Sequence, residues 1–176
     1  MNLNVMRLTI LAASLALAGG CAKKRPSELP PPPASGDGAQ QALDANGAFG
    51  DAALEALRRD FLAQAGSDTV YFTTDSHLLD PPSRATLEAQ ARWLLSHPQV
   101  RVTVEGHADE RGTREYNLAL GDRRAIAAKN FLAARGVPAS QMSTLSWGKE
   151  RPASPGSSAA DWARNRRAVT IIPSAN

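Results

Sequence analysis

The order of segments after residue 50 predicts an α/β fold, a two-layer sandwich with helices packed on one face of a mixed four-stranded sheet. Three observations carry it. Val100, Val102 and Val104 alternate with Arg101, Thr103 and Glu105, the period of a strand with one buried face. Two segments, ending near residues 96 and 135, place apolar residues at spacings of three and four between start and stop signals. Two more strand-like runs follow the second of them, giving strand, helix, strand, helix, strand, strand. The chain has 176 residues, enough for one ordinary domain with extras and too few for a large multidomain enzyme.

In chain order, residues 51–65 place Leu54, Leu57, Phe61 and Leu62 at helical spacing with Arg58, Arg59 and Asp60 between them, predicting an amphipathic helix that leads into the domain. Val70, Tyr71 and Phe72 read as a short strand. Ser83, after Pro81 and Pro82, is read as the N-cap of a helix carrying Leu87, Ala91, Leu94 and Leu95, closed by His97 and Pro98. The valine strand spans 100–105, and Gly106 ends it. A longer helix runs over 114–135 and stops at Gly136 with Pro138 just beyond. Strands at 142–147 and 168–172 complete the set, separated by a Gly/Pro/Ser-rich loop and a short turn at 160–164.

Upstream of the domain the chain changes character. Arg7 is the only charge in the first 20 residues and precedes LTILAASLALAGG, which ends in small residues before Cys21, the layout of a secretory signal peptide. That run is 13 residues, short of the roughly 20 a membrane-crossing helix needs. Cys21 is the only cysteine, so no disulfide framework exists. Leu17-Ala18-Gly19-Gly20-Cys21 resembles the bacterial lipoprotein cleavage box, with Ala18 where leucine is usual, which implies acylation of Cys21. Ordinary cleavage would leave an unpaired thiol in an oxidising compartment. Ala22, rather than Asp, after the cysteine implies sorting to the outer membrane. Residues 22–50 hold five of the 12 prolines and almost no large apolar residues, the composition of a flexible linker. Its 29 residues would span about 30 Å as a coil and about 95 Å stretched. Lys23, Lys24 and Arg25 read as a headgroup contact or as solvation beside the membrane.

The net charge of +3 names no partner. Sixteen Arg against four Lys are interleaved with acids, and secretion argues against nucleic acid. The informative charges are local. Arg124 shares a helical stripe with Leu120, Ala127 or Ala128, and Phe131, where an arginine calls for an acid. Arg123, Arg166 and Arg167 add donors, and Asp109 sits just past a strand end. A zwitterionic ligand would match Asp109 and Arg124, the guanidinium offering a carboxylate its bidentate geometry. Spacing alone equally allows the two to pair with each other as a buried ion pair.

The run VTVEGHADERGTREYNLALGDRRA, residues 102–125, closely resembles the signature of the OmpA-like peptidoglycan-binding domain, and within it that of the peptidoglycan-associated lipoprotein family. So do Val70-Tyr71-Phe72, the segment SWGKERP at 146–152, and NRRAV at 165–169. The match spans about residues 68–172 in the same motif order, and the leader and Pro-rich linker extend it to the whole chain. This divides the chain into a signal peptide (1–20), a lipidated Cys21 with its tether (21–50), the leading helix (51–66) and the OmpA-like domain (67–176).

The resemblance implies noncatalytic binding of the diaminopimelate side chain of a peptidoglycan stem peptide. Asp109 would hold the ligand's ammonium and Arg124 a carboxylate, with Phe72, Thr73 and Asp75 on a closing loop and Asn117 and Arg167 ordering the site. Thr73 stands where the family usually has Asp after Phe, leaving that loop its backbone contacts. The resemblance also implies docking of TolB, with Glu110, Arg111 and Thr113 as contacts, and a place in the Tol-Pal system of envelope integrity and cell division, on the periplasmic face of the outer membrane. No cofactor and no metal are expected, since His107 and Asp109 lack a third ligand and His77 and His97 are distant. No GxSxG, HExxH or phosphate-loop pattern occurs. The alternatives are a wall hydrolase, with Trp93, Trp147 and Trp162 as candidate sugar-stacking groups, and a periplasmic OmpA-like binder outside the Tol system. A porin-linked member would need eight or more membrane strands, and a flagellar-stator member a spanning helix.

Overall fold

The computed structural model of the chain describes residues 50–173. The leader, Cys21 and the Pro-rich segment lie outside them. Four helices and four strands follow one another: α1 (Asp51–Ala65), β1 (Thr69–Tyr71), α2 (Pro81–Ser96), β2 (Val102–His107), α3 (Arg114–Ala134), β3 (Met142–Gly148), α4 (Ala159–Asn165) and β4 (Arg167–Ile171), with a 3-10 turn at Ala139–Gln141. The sheet order is β1-β4-β2-β3. β4 runs antiparallel to both β1 and β2, and β2 runs parallel to β3, so the sheet is mixed as predicted. Among the described residues no helix is long and apolar enough to cross a membrane.

Alternation along the strands puts Val70, Val102, Val104, Ala168 and Thr170 beneath α2 and α3, where Leu87, Leu94, Ala125, Ala128 and Leu132 meet them, all buried. Each large aliphatic side chain removed from water here stabilises the fold by about 1.5–3 kcal/mol. Polar ties hold the layers in register. Gln90 of α2 is fully buried, donates to Ser67 O at 3.0 Å and accepts from Thr170 Oγ1 at 2.8 Å. α1 packs on α2, where the Trp93 indole sits 4.9 Å from Phe61, stacks on His97 at 4.0 Å and donates to Asp60 at 2.7 Å.

The structure moves several expected features. The N-cap of α2 is Asp80 rather than Ser83. Pro81 and Pro82 lack N–H groups and fill the first helical positions, so the first donor needing a cap is Ser83 N, which the Asp80 carboxylate accepts at 2.8 Å. Ser83 lies inside the helix, and its hydroxyl donates to Tyr71 O. β2 begins and ends about two residues later than the valine pattern suggests, and Gly106 lies within it. Its missing side chain is what α3 needs: a Cβ there would overlap the backbone carbonyl of Gly121, and one on Gly121 would lie 2.8 Å from Gly106 O. Leu62 and Leu95 are exposed at the edges of their helices, outside the buried stripes. The turn at 160–164 is a seven-residue helix, α4, closed at its start by a reciprocal pair of bonds between Ser158 and Asp161.

Candidate functional site

Two loops and one helix face build a cavity of about 430 Å³, lined by Thr74, Asp75, Asp109, Arg111, Gly112, Tyr116, Asn117, Leu120 and Arg124. It opens at the carboxyl end of β2, beside the loops that follow β1 and β2. Asn117, Leu120 and Arg124 come from one face of α3, at offsets of three and four.

Asp109 is 7% exposed. One carboxylate oxygen accepts from Arg111 N at 3.2 Å and Arg111 Nε at 3.0 Å; the other accepts from Arg111 Nη2 at 2.7 Å and Arg166 Nη1 at 3.3 Å. Burial pushes its pKa up, but the Arg111 bonds and then the Arg166 bond outweigh this and hold the carboxyl below its ordinary value. Arg124 is fully buried on α3. It donates Nε to Ser76 O at 2.8 Å, Nη1 to His107 O at 2.7 Å and Nη2 to Thr73 O at 3.2 Å. Three of its five N–H groups are thus spent on carbonyls. Burial first, and Arg166 second, lower its pKa to about 10, so it stays a cation at neutral pH. The ion pair between Asp109 and Arg124 that spacing allowed does not form. Acid and base line one cavity, each held by other groups.

The remaining candidates divide. Asp75 adopts φ 60° and accepts from the Tyr116 hydroxyl across the mouth, a bond that raises the tyrosine pKa. Asn117 is buried and donates to Arg111 O at 2.8 Å, ordering the Asp109 loop. Phe72 lies outside the cavity, its ring 5.2 Å from the Arg124 guanidinium and buried beneath it. Thr73 contributes its carbonyl to Arg124 and lines a separate hollow of about 290 Å³ with Phe72 and Arg166. Arg167 is not in the site. As the first residue of β4 it donates to Arg151 O at 3.2 Å, and its neighbour Arg166, one position before the strand, reaches Asp109 instead.

Among the expected docking residues, Glu110 accepts from Trp162 Nε1 at 2.9 Å, Thr113 caps α3 by accepting from Tyr116 N at 3.2 Å, and the Arg111 guanidinium lies 4.2 Å from the centre of the Trp162 ring. Lys149 Nζ fastens the same loop through Glu110 O at 3.2 Å and Gly112 O at 2.7 Å. Thr74, Gly112 and Tyr116 carry no signal in the sequence, whereas Leu120 shares the Arg124 stripe and Arg166 is among the arginines read there as added donors.

Residues 71–166 match the model of the OmpA family. The chain is 46% identical over 164 residues to the peptidoglycan-associated lipoprotein of Agrobacterium fabrum, covering 93% of this chain and 86% of that protein. The protein of the same name from Pseudomonas aeruginosa is 40% identical over 163 residues, covering 92% of this chain and 93% of its own length. Among solved structures, the peptidoglycan-associated lipoprotein from Burkholderia pseudomallei superposes with a TM-score of 0.59 at 44% identity, over 60% of this chain and 90% of that one. The C-terminal domain of Helicobacter pylori MotB shares the fold, with a TM-score of 0.55 at 22% identity over 59% of this chain and 82% of that one. Sequence and architecture agree that this chain belongs to the OmpA family.

Proposed function

We propose that the protein is an outer-membrane lipoprotein that binds peptidoglycan noncovalently through the diaminopimelate of the stem peptide, and so joins membrane to wall within the Tol-Pal system. The observation that carries this reading is the opposition of Asp109 and Arg124 on one cavity, where they do not pair with each other. A ligand with an ammonium and a carboxylate answers both, and the guanidinium, already positioned by three carbonyls, is preorganised for the carboxylate. The matched relatives carry peptidoglycan association and lipidation in their names. The state of Asp109 supports binding over hydrolysis: a carboxylate held by two arginines below its ordinary pKa is a poor proton acceptor near neutral pH. In this reading residues 1–20 are removed, Cys21 is acylated, residues 21–50 tether the domain, and Glu110, Arg111 and Thr113 contact TolB.

Cosedimentation of the protein with purified sacculi tests the site. Asp109→Asn and Arg124→Ala should each reduce the pelleted fraction at least about tenfold, because each leaves a ligand charge without its partner. Pelleting at the wild-type level would overturn the assignment. In cell fractionation Cys21→Ser should move the protein from membrane to soluble fractions; unchanged attachment sinks the lipid anchor. Coprecipitation with TolB should weaken in Glu110→Lys, and an undiminished yield removes that contact.

A further inference from the structure

The cavity already contains a cation. Arg111 forks onto both oxygens of Asp109 at 3.0 and 2.7 Å, while its own side chain is 42% exposed and that of Asp109 only 9%. The partner of the buried acid is therefore a half-exposed, solvent-facing group on the same loop, two residues away. While it holds Asp109, its guanidinium also lies 4.2 Å from the centre of the Trp162 ring, whose indole N–H is bonded to Glu110, so an aromatic face and a second carboxylate stand beside the cation. Arg166 reaches Asp109 with a single longer bond and is anchored independently by Nε to Phe72 O at 3.0 Å. Arg111 can leave; Arg166 stays.

We propose that Arg111 is a tethered counter-ion that a ligand must displace from Asp109, and that this displacement sets the selectivity of the site for zwitterions over plain anions. The inference rests on the reading of the cavity as a diaminopimelate site. Binding is then an exchange of one cation for another at Asp109, with the guanidinium keeping its contact with Trp162 and turning toward Glu110 while the ligand's carboxylate meets Arg124. An anion without an ammonium offers Asp109 no replacement cation, so Arg111 stays in place and the acid contributes nothing to its binding. A lone cation can displace Arg111 but gains nothing from Arg124. Only a ligand carrying both charges at the cavity's spacing is rewarded twice.

The test uses the full chain in detergent, a soluble stem peptide carrying meso-diaminopimelate, and the same peptide acetylated on its side-chain amine. Calorimetry should show Arg111→Gln binding the intact peptide more tightly than wild type, on the order of fivefold, the equivalent of a half-exposed ion pair no longer broken. The acetylated peptide should gain nothing. Damage to the fold cannot tighten binding, so a gain is diagnostic, and Arg111→Lys, which keeps the charge but loses the fork, should fall between. In the wild type, the Nε–H resonance of Arg111 should shift on saturation with the intact peptide and stay put with the acetylated one. Weaker or unchanged binding by Arg111→Gln, or an unmoved resonance, overturns the proposal. If Asp109→Asn binds the intact peptide as well as wild type does, the diaminopimelate reading itself fails, whatever Arg111 does.

Discussion

A buried arginine ordinarily brings a carboxylate with it, and Arg124 instead brings three carbonyls, two from one loop and one from a strand end. Its oddity on an apolar stripe was visible in the sequence because charge and helical period are both local properties. Its partners were not, since they come from residues 73, 76 and 107. The choice between Arg166 and Arg167 shows the same limit: one residue of strand phase decides which of two adjacent arginines points at Asp109. Arg166→Ala should accordingly lower sacculus binding about threefold or more, whereas Arg167→Ala should stay within about twofold; the reverse order would place the strand phase wrongly. His107, just under the site, is 2% exposed, and its ring nitrogens are without hydrogen-bond partners among the described residues. Burial first, then Arg167 and Arg151, lower its pKa to about 4. Because this lies below the unfolded value near 6.5, the neutral ring is the folded form. Stability should be complete above pH 6.5 and fall by about 1.4 kcal/mol per unit as pH drops toward 4. Carboxylates held low, such as Asp109, stabilise the fold throughout that window and lose this contribution only as the pH falls below it. Urea midpoints between pH 7 and 4.5 would show the slope, and His107→Gln should flatten it; an equal slope in that variant assigns the effect elsewhere.

At the scale of elements, α1 and α3 were legible to within a residue because their ends are written locally, as at Thr113 and Gly136 around α3, whereas α2 has its cap three residues before the expected one. Strand ends were displaced because neighbours set them. β2 continues through Gly106 since Ala168 and Ser146 flank it in the sheet. The Gly106 and Gly121 contact is where α3 comes closest to the sheet, and it fixes how far Arg124 stands from the end of β2. Gly106→Ala should therefore cost about 1–3 kcal/mol in chemical denaturation, since the clash is with backbone that cannot rotate away, and wall binding should fall with it. A variant as stable as wild type would show that the helix can lift without harm. The cavity walls at Thr74 and Gly112 are products of loop geometry, which no periodicity encodes.

For the whole molecule, the near-neutral charge is informative once the site is known, since a cavity that matches acid with base needs no net surplus. The composition excluded whole classes of protein, and the order of segments indicated a mixed sheet covered by helices, because burial patterns are global sums of local choices. The arrangement of α1 has a mechanical consequence. Immediately after it, Gln90 holds Ser67 O and Thr170 N binds Asp68 O at 2.8 Å, so the sheet grips the chain at residues 67–68, downstream of α1 and upstream of the cavity. Tension applied at residue 50 and resisted at the cavity loads α1 before it loads anything that shapes the site. A 15-residue helix is about 22 Å long and extends to about 50 Å when peeled open, so α1 can pay out slack while the binding groups keep their places. In an optical trap a first yielding step of about 30 Å that leaves ligand affinity intact is the expected record. Loss of ligand at that step would mean the grip at residues 67–68 does not hold, and that α1 is a strut of the site rather than its shock absorber.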